Sequence, residues 1–162
     1  MTAGGHVVDV VVEDARWSDL ERLASIAVPA ALGPLEGCEV VILGCDDARI
    51  AALNGDFRGK SQPTNVLSWP SKMRDPEMPP GDPELGDIAI AYETCAREAA
   101  EQGKAFDAHV VHLLVHAVLH LLGHDHEAEA EAIRMEDTER RIVTALGFPD
   151  PYADASMFRG GT

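Results

Sequence analysis

The chain has 162 residues, of which 46% are hydrophobic, and its formal net charge is −15. This length allows one domain with its own core, and the acidity excludes the overall basic surface that usually accompanies nucleic-acid binding. The first residues lack the basic segment and cleavage site of a signal peptide. The longest apolar stretch, around residues 110–122, is interrupted by histidines and too short to span a bilayer. We therefore expect a soluble, cytoplasmic protein that does not contact membranes.

The hydrophobic pattern predicts one α+β or α/β domain over residues 1–148. Pro29 should end or kink its first helix, and the prolines between Pro70 and Pro83 predict a loop. The tail over residues 149–162 contains Gly and Pro and is expected to be flexible. In chain order, we predict strands over 6–12, 39–44, 63–70 and 87–91, and helices over 17–31, 46–57, 93–102, 106–122 and 127–146.

The helix over residues 106–122 is apolar almost all round, except for one stripe of histidines. His109, His112, His116 and His120 are spaced three, four and four residues apart, which stacks them on one helical face. Burying several imidazoles without partners is costly. The pattern therefore favours a metal site, with a polar network as the alternative. His109 and His112 lie further back along the helix and are expected to orient neighbouring groups.

The end of this helix carries the predicted metal ligands. His116 and His120 form an i, i+4 pair whose rings can face one cation. Gly123 then permits the backbone to reverse, which can bring His126 to the same side. Three imidazoles with at least one open coordination position are typical of catalytic zinc sites. We predict a metal site at the C-terminal end of this buried helix.

The spacing from His116 to His126 also matches the metzincin proteases, HExxHxxGxxH, in which the Glu is the general base. Ala117 stands at the position of that Glu and cannot accept a proton, which argues against a peptidase. Phosphodiester hydrolysis can proceed without this Glu, because a metal activates water and an arginine can stabilise the developing charge.

In the turn after the helix, His124 is expected to be exposed. Asp125 either orients a ligand imidazole or binds the turn backbone.

A second group of residues lies in LNGDFRGKSQPTNVLSWP, where Arg58, taken alone, is an ordinary surface charge. Together with LGDIAIA and HAVLHLLGHDH, in this order over residues 40–145, the segment resembles the YbeY family of bacterial endoribonucleases, also called rRNA maturation factors. The family often has Asp where Asn65 stands and Phe where Trp69 stands, so these two positions depart from its pattern.

The resemblance implies a single small α+β domain with a mostly parallel four-stranded sheet flanked by about five helices. It also implies single-strand-specific cleavage of RNA in ribosomal RNA maturation, especially at the 3′ end of the small-subunit RNA, and in ribosome quality control. The matched residues His116, His120 and His126 would hold one divalent metal ion, with zinc as the first candidate. Arg58 would contact the scissile phosphate, and Asp87 in LGDI would be structural.

The expected partners are single-stranded and ribosomal RNA, the small ribosomal subunit with its proteins, and an assembly GTPase. Because the chain is acidic, RNA binding needs a local positive cleft or a partner that delivers the RNA. Two other functions stay open. One is a ribosome-assembly factor with a mainly structural metal and little nuclease activity, and the other is a metallohydrolase of a small amide or ester. The candidates for the positive cleft are Arg58, Lys60, Lys72 and Arg74.

Overall fold

The computed structural model describes residues 5–59, 62–125 and 128–152, with the backbone alone for Phe57 and Arg58. This part of the chain forms four strands and five helices, as predicted. In chain order, the elements are β1 (Val7–Val12), α1 (Leu20–Leu32), β2 (Glu39–Cys45), α2 (Asp47–Arg58), β3 (Val66–Pro70), β4 (Glu84–Ala91), α3 (Tyr92–Gln102), α4 (Phe106–Leu121) and α5 (Glu129–Ala145).

The four strands form one mixed sheet in the order β1-β2-β4-β3. β1 and β4 both pair with β2 in parallel, whereas β3 pairs with β4 in antiparallel orientation, with Ser68 opposite Ile88. The α+β prediction with a mostly parallel sheet is therefore confirmed. β3 lies at the edge of the sheet, where Pro70 can end the strand without removing a hydrogen bond from the sheet interior.

The main core lies between the sheet and the pair of helices α1 and α4. Side chains alternate along each strand, so Ile42 of β2 and Ile88 of β4 point into this core and are fully buried. A smaller cluster around Ile50 of α2 covers part of the opposite face. Among the described residues, nothing covers the rest of that face, and Val41 at its centre is 38% exposed. α4 is thus a central helix, and one of its ends can support a site.

The first helix differs from its prediction at Pro29. α1 continues past this proline to Leu32, and the amide of Gly33 donates to the carbonyl of Pro29. A proline within a helix leaves the carbonyl four residues earlier without its usual amide partner. That carbonyl belongs to Ser25, which is exposed to solvent, so water can replace the missing donor. Of the two alternatives expected for Pro29, an end of the helix is therefore wrong, and a kink stays a prediction.

Within the three described ranges, no helix is both long and apolar enough to cross a membrane. The most apolar one, α4, has 16 residues and packs against the sheet, α1, α3 and α5. Its hydrophobicity is accounted for by the protein core.

Candidate metal centre

The histidine stripe of α4 runs from the core to a cleft. The exposed fraction of the side chain rises from 5% at His109 to 12% at His112 and 29% at His116. His116 and His120 line a cleft of about 340 Å³, which is also lined by residues 64–68 and by Tyr152. The structure therefore brings two of the three predicted metal ligands to one cleft.

The ring of His116 is oriented by a carboxylate. Its Nδ1 atom lies 2.7 Å from Oε2 of Glu139, and an ionised carboxylate can only accept a hydrogen bond. Nδ1 therefore carries a proton, and in the neutral form of the ring the lone pair lies on Nε2. This carboxylate–imidazole arrangement is the one commonly found behind metal-bound histidines.

The ring of His120 is oriented from β3. Its Nδ1 atom lies 2.9 Å from the Oγ atom of Ser68, in the PTNVLS segment. A hydroxyl can accept a hydrogen bond as well as donate one, so it is compatible with a protonated Nδ1 and a lone pair on Nε2. Each of these two rings is thus hydrogen-bonded through its Nδ1 atom, although the partners come from different elements.

Glu139 is the residue that sequence reasoning missed. It is fully buried in α5, where it accepts hydrogen bonds from His112 Nε2 at 2.6 Å, His116 Nδ1 at 2.7 Å and the Tyr152 hydroxyl at 2.5 Å. Burial by itself would raise the pKa of Glu139, but these hydrogen bonds outweigh it and lower the pKa to about 2. The carboxylate is therefore ionised and acts only as an acceptor.

A signal for Glu139 exists in the sequence. Met135 and Val143 are the buried apolar residues of α5, and Glu139 lies halfway between them at a spacing of four residues. An acid on the apolar stripe of a helix is unusual unless it has a partner. Because α5 carries several other acidic residues, Glu139 does not stand out in the sequence.

The segment after α5 also contributes to the cleft. Tyr152 lines it and contacts Glu139, and Pro151 is buried. The predicted boundary at residue 148 therefore excludes residues that pack on the domain. The remainder of the predicted flexible tail, residues 153–162, lies outside the described residues.

The two remaining histidines of the stripe have carboxylate partners, as expected for groups that hold neighbours in place. His112 shares Glu139 with His116, and His109 Nε2 lies 2.9 Å from Oε1 of Glu98. Burial lowers the pKa of His109, and the opposing effect of Glu98 is smaller. His109 is therefore a neutral ring in the core.

The turn after α4 depends on Gly123. Its φ angle is +107°, a conformation that L side chains rarely adopt, and a Cβ atom there would lie 2.3 Å from the backbone oxygen of Arg74. The predicted reversal is therefore present. His124 is partly buried and not exposed as expected, and this burial lowers its pKa. Asp125 is partly buried beside it.

Three predicted residues cannot be placed. His126 and Lys60 lie outside the described residues, as does the side chain of Arg58. In the ranges that are described, no three side chains of His, Cys, Asp or Glu are grouped to hold a metal ion. The donor set that is present nevertheless fits a divalent ion such as zinc, because both cleft imidazoles are held through Nδ1 and would coordinate through Nε2.

Arg74 has a structural role, which contradicts its expected place in a positive cleft for RNA. Its side chain is only 4% exposed, and its guanidinium donates to the carbonyls of Leu121 at 3.2 Å, Leu85 at 3.1 Å and Glu84 at 2.8 Å. These bonds tie the proline-rich loop to β4 and to the end of α4. Lys72, on the same loop, forms an ion pair of 2.5 Å with Asp82.

Comparisons with known proteins agree with this architecture. The family model described as Endoribonuclease YbeY matches residues 9–147. A protein of Cereibacter sphaeroides named Endoribonuclease YbeY is 57% identical, over 90% of this chain and 98% of its own. One of the same name from Paracoccus denitrificans is 55% identical, over 91% and 90%.

Among solved structures, the solution structure of TM1509 from Thermotoga maritima superimposes with a TM-score of 0.64. It covers 86% of this chain and 89% of its own, and the two sequences are 23% identical. At that identity the similarity supports the fold alone. The resemblance of the sequence to YbeY proteins is confirmed by the family model and the curated relatives, and the chain belongs to the endoribonuclease YbeY family.

Proposed function

We propose that the chain is a metal-dependent, single-strand-specific endoribonuclease that matures ribosomal RNA at the 3′ end of the small-subunit RNA and takes part in ribosome quality control. The observation that carries this proposal is the cleft in which His116 and His120 are both held through Nδ1, in a chain of an endoribonuclease family. We further propose that it acts in the cytoplasm.

One divalent ion, with zinc as the first candidate, would be held by His116, His120 and His126. When bound, such an ion lowers the pKa of water and polarises a phosphoryl oxygen. Glu139 keeps the His116 ring in one tautomer and orientation, and Ser68 does the same for His120. Arg58 would contact the scissile phosphate and stabilise its developing charge, since its planar fork can bind two phosphate oxygens.

A partner would deliver the RNA, because the chain is strongly acidic and two of its candidate cations are already paired. Arg74 is buried among carbonyl groups, and Lys72 pairs with Asp82. The uncovered sheet face carries four carboxylates around Val41, which would suit basic proteins of the small ribosomal subunit. The assembly GTPase is the second proposed partner. The carboxylates belong to Asp9, Glu39, Glu84 and Asp87.

The test combines metal content with cleavage. Elemental analysis of the purified chain should give one metal ion per chain, and His120→Ala should lose both the ion and the cleavage of a single-stranded RNA. Arg58→Glu should keep the ion and lose cleavage. An Arg58→Glu protein that cuts RNA normally would reject the role of Arg58.

The same measurement separates the main alternative. One metal ion per chain in a protein free of contaminating nuclease, without any cleavage of RNA alone or on the small subunit, would favour an assembly factor with a structural metal. The partner proposal is tested by Asp9→Lys/Glu39→Lys. This variant should bind small subunits more weakly and still cleave a short RNA at the normal rate.

A further inference from the structure

Tyr152 reaches the candidate metal centre from outside the elements that carry the histidines. It follows α5 by seven residues, yet its hydroxyl donates to Oε1 of Glu139 at 2.5 Å. Its ring meets the His112 ring edge-on, with 5.4 Å between the ring centroids. The same residue lines the cleft that contains His116 and His120. Tyr152 therefore contacts the groups that support the cleft and forms part of its wall.

The backbone around Tyr152 is held by several independent contacts. Lys104 Nζ donates to the carbonyl of Pro151 at 2.9 Å. Arg140 pairs with Asp150 at 3.0 Å, and its guanidinium lies over the Tyr152 ring at 5.6 Å from the centroid. These contacts place the hydroxyl before any ligand arrives.

The Tyr152 hydroxyl binds one particular oxygen of the Glu139 carboxylate. Tyr152 and His112 both donate to Oε1 of Glu139, whereas His116 donates to Oε2. Two donors on one oxygen fix the carboxylate plane and leave the other oxygen facing His116. A fully buried, ionised carboxylate that loses a donor either reorients or draws its remaining donors closer, and both responses move the His116 ring.

We propose that Tyr152 is a positioning residue that acts through Glu139 to hold His116 in the Nδ1–H tautomer with Nε2 directed to the metal position. This inference rests on the proposed function, because the metal is part of that proposal. It assigns to the segment after the last helix a role in building the site. The expected consequence is that removal of one hydroxyl weakens metal binding by about tenfold, the lower end of the loss usual for groups behind a metal ligand.

The experiment uses Tyr152→Phe, which removes the hydroxyl and keeps the ring. The matched control is Tyr92→Phe, because Tyr92 is the other tyrosine and packs in the aromatic cluster of Trp17 and Phe106, away from the histidine cleft. Long-range proton–nitrogen NMR spectra of the metal-free proteins report the tautomer of each histidine. Competition with a chromogenic chelator reports zinc affinity, and thermal unfolding checks that each variant is folded.

In Tyr152→Phe, we expect the ring signals of His116 to shift away from the Nδ1–H tautomer and zinc affinity to fall by about tenfold, while Tyr92→Phe matches the unsubstituted protein. Unchanged His116 signals in a folded Tyr152→Phe protein would overturn the inference. An equal loss in both variants would also overturn it. If the unsubstituted chain binds no zinc, the proposed function fails, and the His116 signals of the metal-free proteins still decide the role of Tyr152.

Discussion

Two carboxylate–imidazole pairs on α4 have the same chemistry but different surroundings. His109 pairs with Glu98 at 2.9 Å in the first half of the helix, and His116 pairs with Glu139 at 2.7 Å near its end. The first ring is 5% exposed and the second is 29% exposed beside a cleft. Of these two rings, His116 lines the cleft that also contains His120, whereas His109 lines a separate pocket of about 250 Å³ between α4 and the segment after α5. The same carboxylate–imidazole pair can therefore stand at a candidate metal site or away from it.

The second difference lies in the nitrogen that the carboxylate contacts. Glu98 contacts Nε2 of His109. The remaining ring nitrogen, Nδ1, is buried without a hydrogen-bond partner among the described residues. Glu139 contacts Nδ1 of His116, so Nε2, the atom furthest from the helix backbone, is the one that would coordinate the proposed metal ion. The first pair lies in the core, and the second orients a proposed metal ligand.

The largest expected effect separates the two rings directly. His116→Ala removes a proposed ligand, so the bound metal should fall from one per chain towards zero and RNA cleavage should fall at least about a hundredfold. His109→Ala should keep the bound metal and the RNA cleavage, but its thermal stability should be lower. Elemental analysis and a cleavage assay on single-stranded RNA measure this. Metal loss in His109→Ala, with retention in His116→Ala, would reverse the assignment.

The next effect compares the two carboxylates. Glu139→Gln introduces an NH₂ group that must face one of the three donors around this position, so zinc affinity should fall by about 10- to 100-fold. Glu98→Gln should leave zinc affinity unchanged. Competition titrations on both variants measure the contrast, and equal affinities would show that Glu139 does not orient His116.

A smaller effect is expected at Ser68, which supports the other cleft histidine. Ser68→Ala removes the hydroxyl next to Nδ1 of His120, and zinc affinity should fall by about tenfold, because water can partly replace the hydroxyl in a half-exposed cleft. Ser25→Ala, on the exposed side of α1, is the control. A zinc affinity as low as that of Glu139→Gln would show that Ser68 supports metal binding as strongly as Glu139 does.

The smallest effect concerns stability alone. Glu98→Gln weakens the hydrogen bonds that Oε1 of Glu98 makes with His109 and with the Asn65 side chain, which should lower the free energy of unfolding by about 1 kcal/mol. Denaturant unfolding of the metal-free protein measures this difference. A change well above 3 kcal/mol would mean that Glu98 holds more of the core than these two contacts indicate.

Much of the fold could be predicted because its elements depend on local pattern. The period of apolar residues indicated all five helices and all four strands. The helix predicted over 46–57 corresponds to α2, which Asp46 caps by accepting a hydrogen bond from the amide of Arg49. The helix does not end at Pro29, because a helix tolerates a missing donor where the affected carbonyl is exposed. That outcome depends on tertiary burial, which a local pattern does not contain.

For the candidate site, the sequence was enough to propose that His116 and His120 lie together, but not to find the groups that orient them. The spacing of His116 and His120 follows from helix geometry, so sequence was enough to place them on one face. Glu139 contacts the His116 ring from 23 residues further along the chain, and Tyr152 contacts Glu139 and the His112 ring from the segment after α5. These contacts depend on the packing of α5 and of that segment. The burial of Arg74 also depends on long-range packing, because its acceptors are carbonyl groups that any residue type provides.

The contact between Gly123 and the backbone of Arg74 has a consequence for protein engineering. The proline-rich loop and the turn after α4 touch without a side chain between them, so neither can change its path independently. A chimera that imports a loop from another family member should therefore also import the matching turn. Exchange of the loop alone would displace the start of the segment that leads to residue 126.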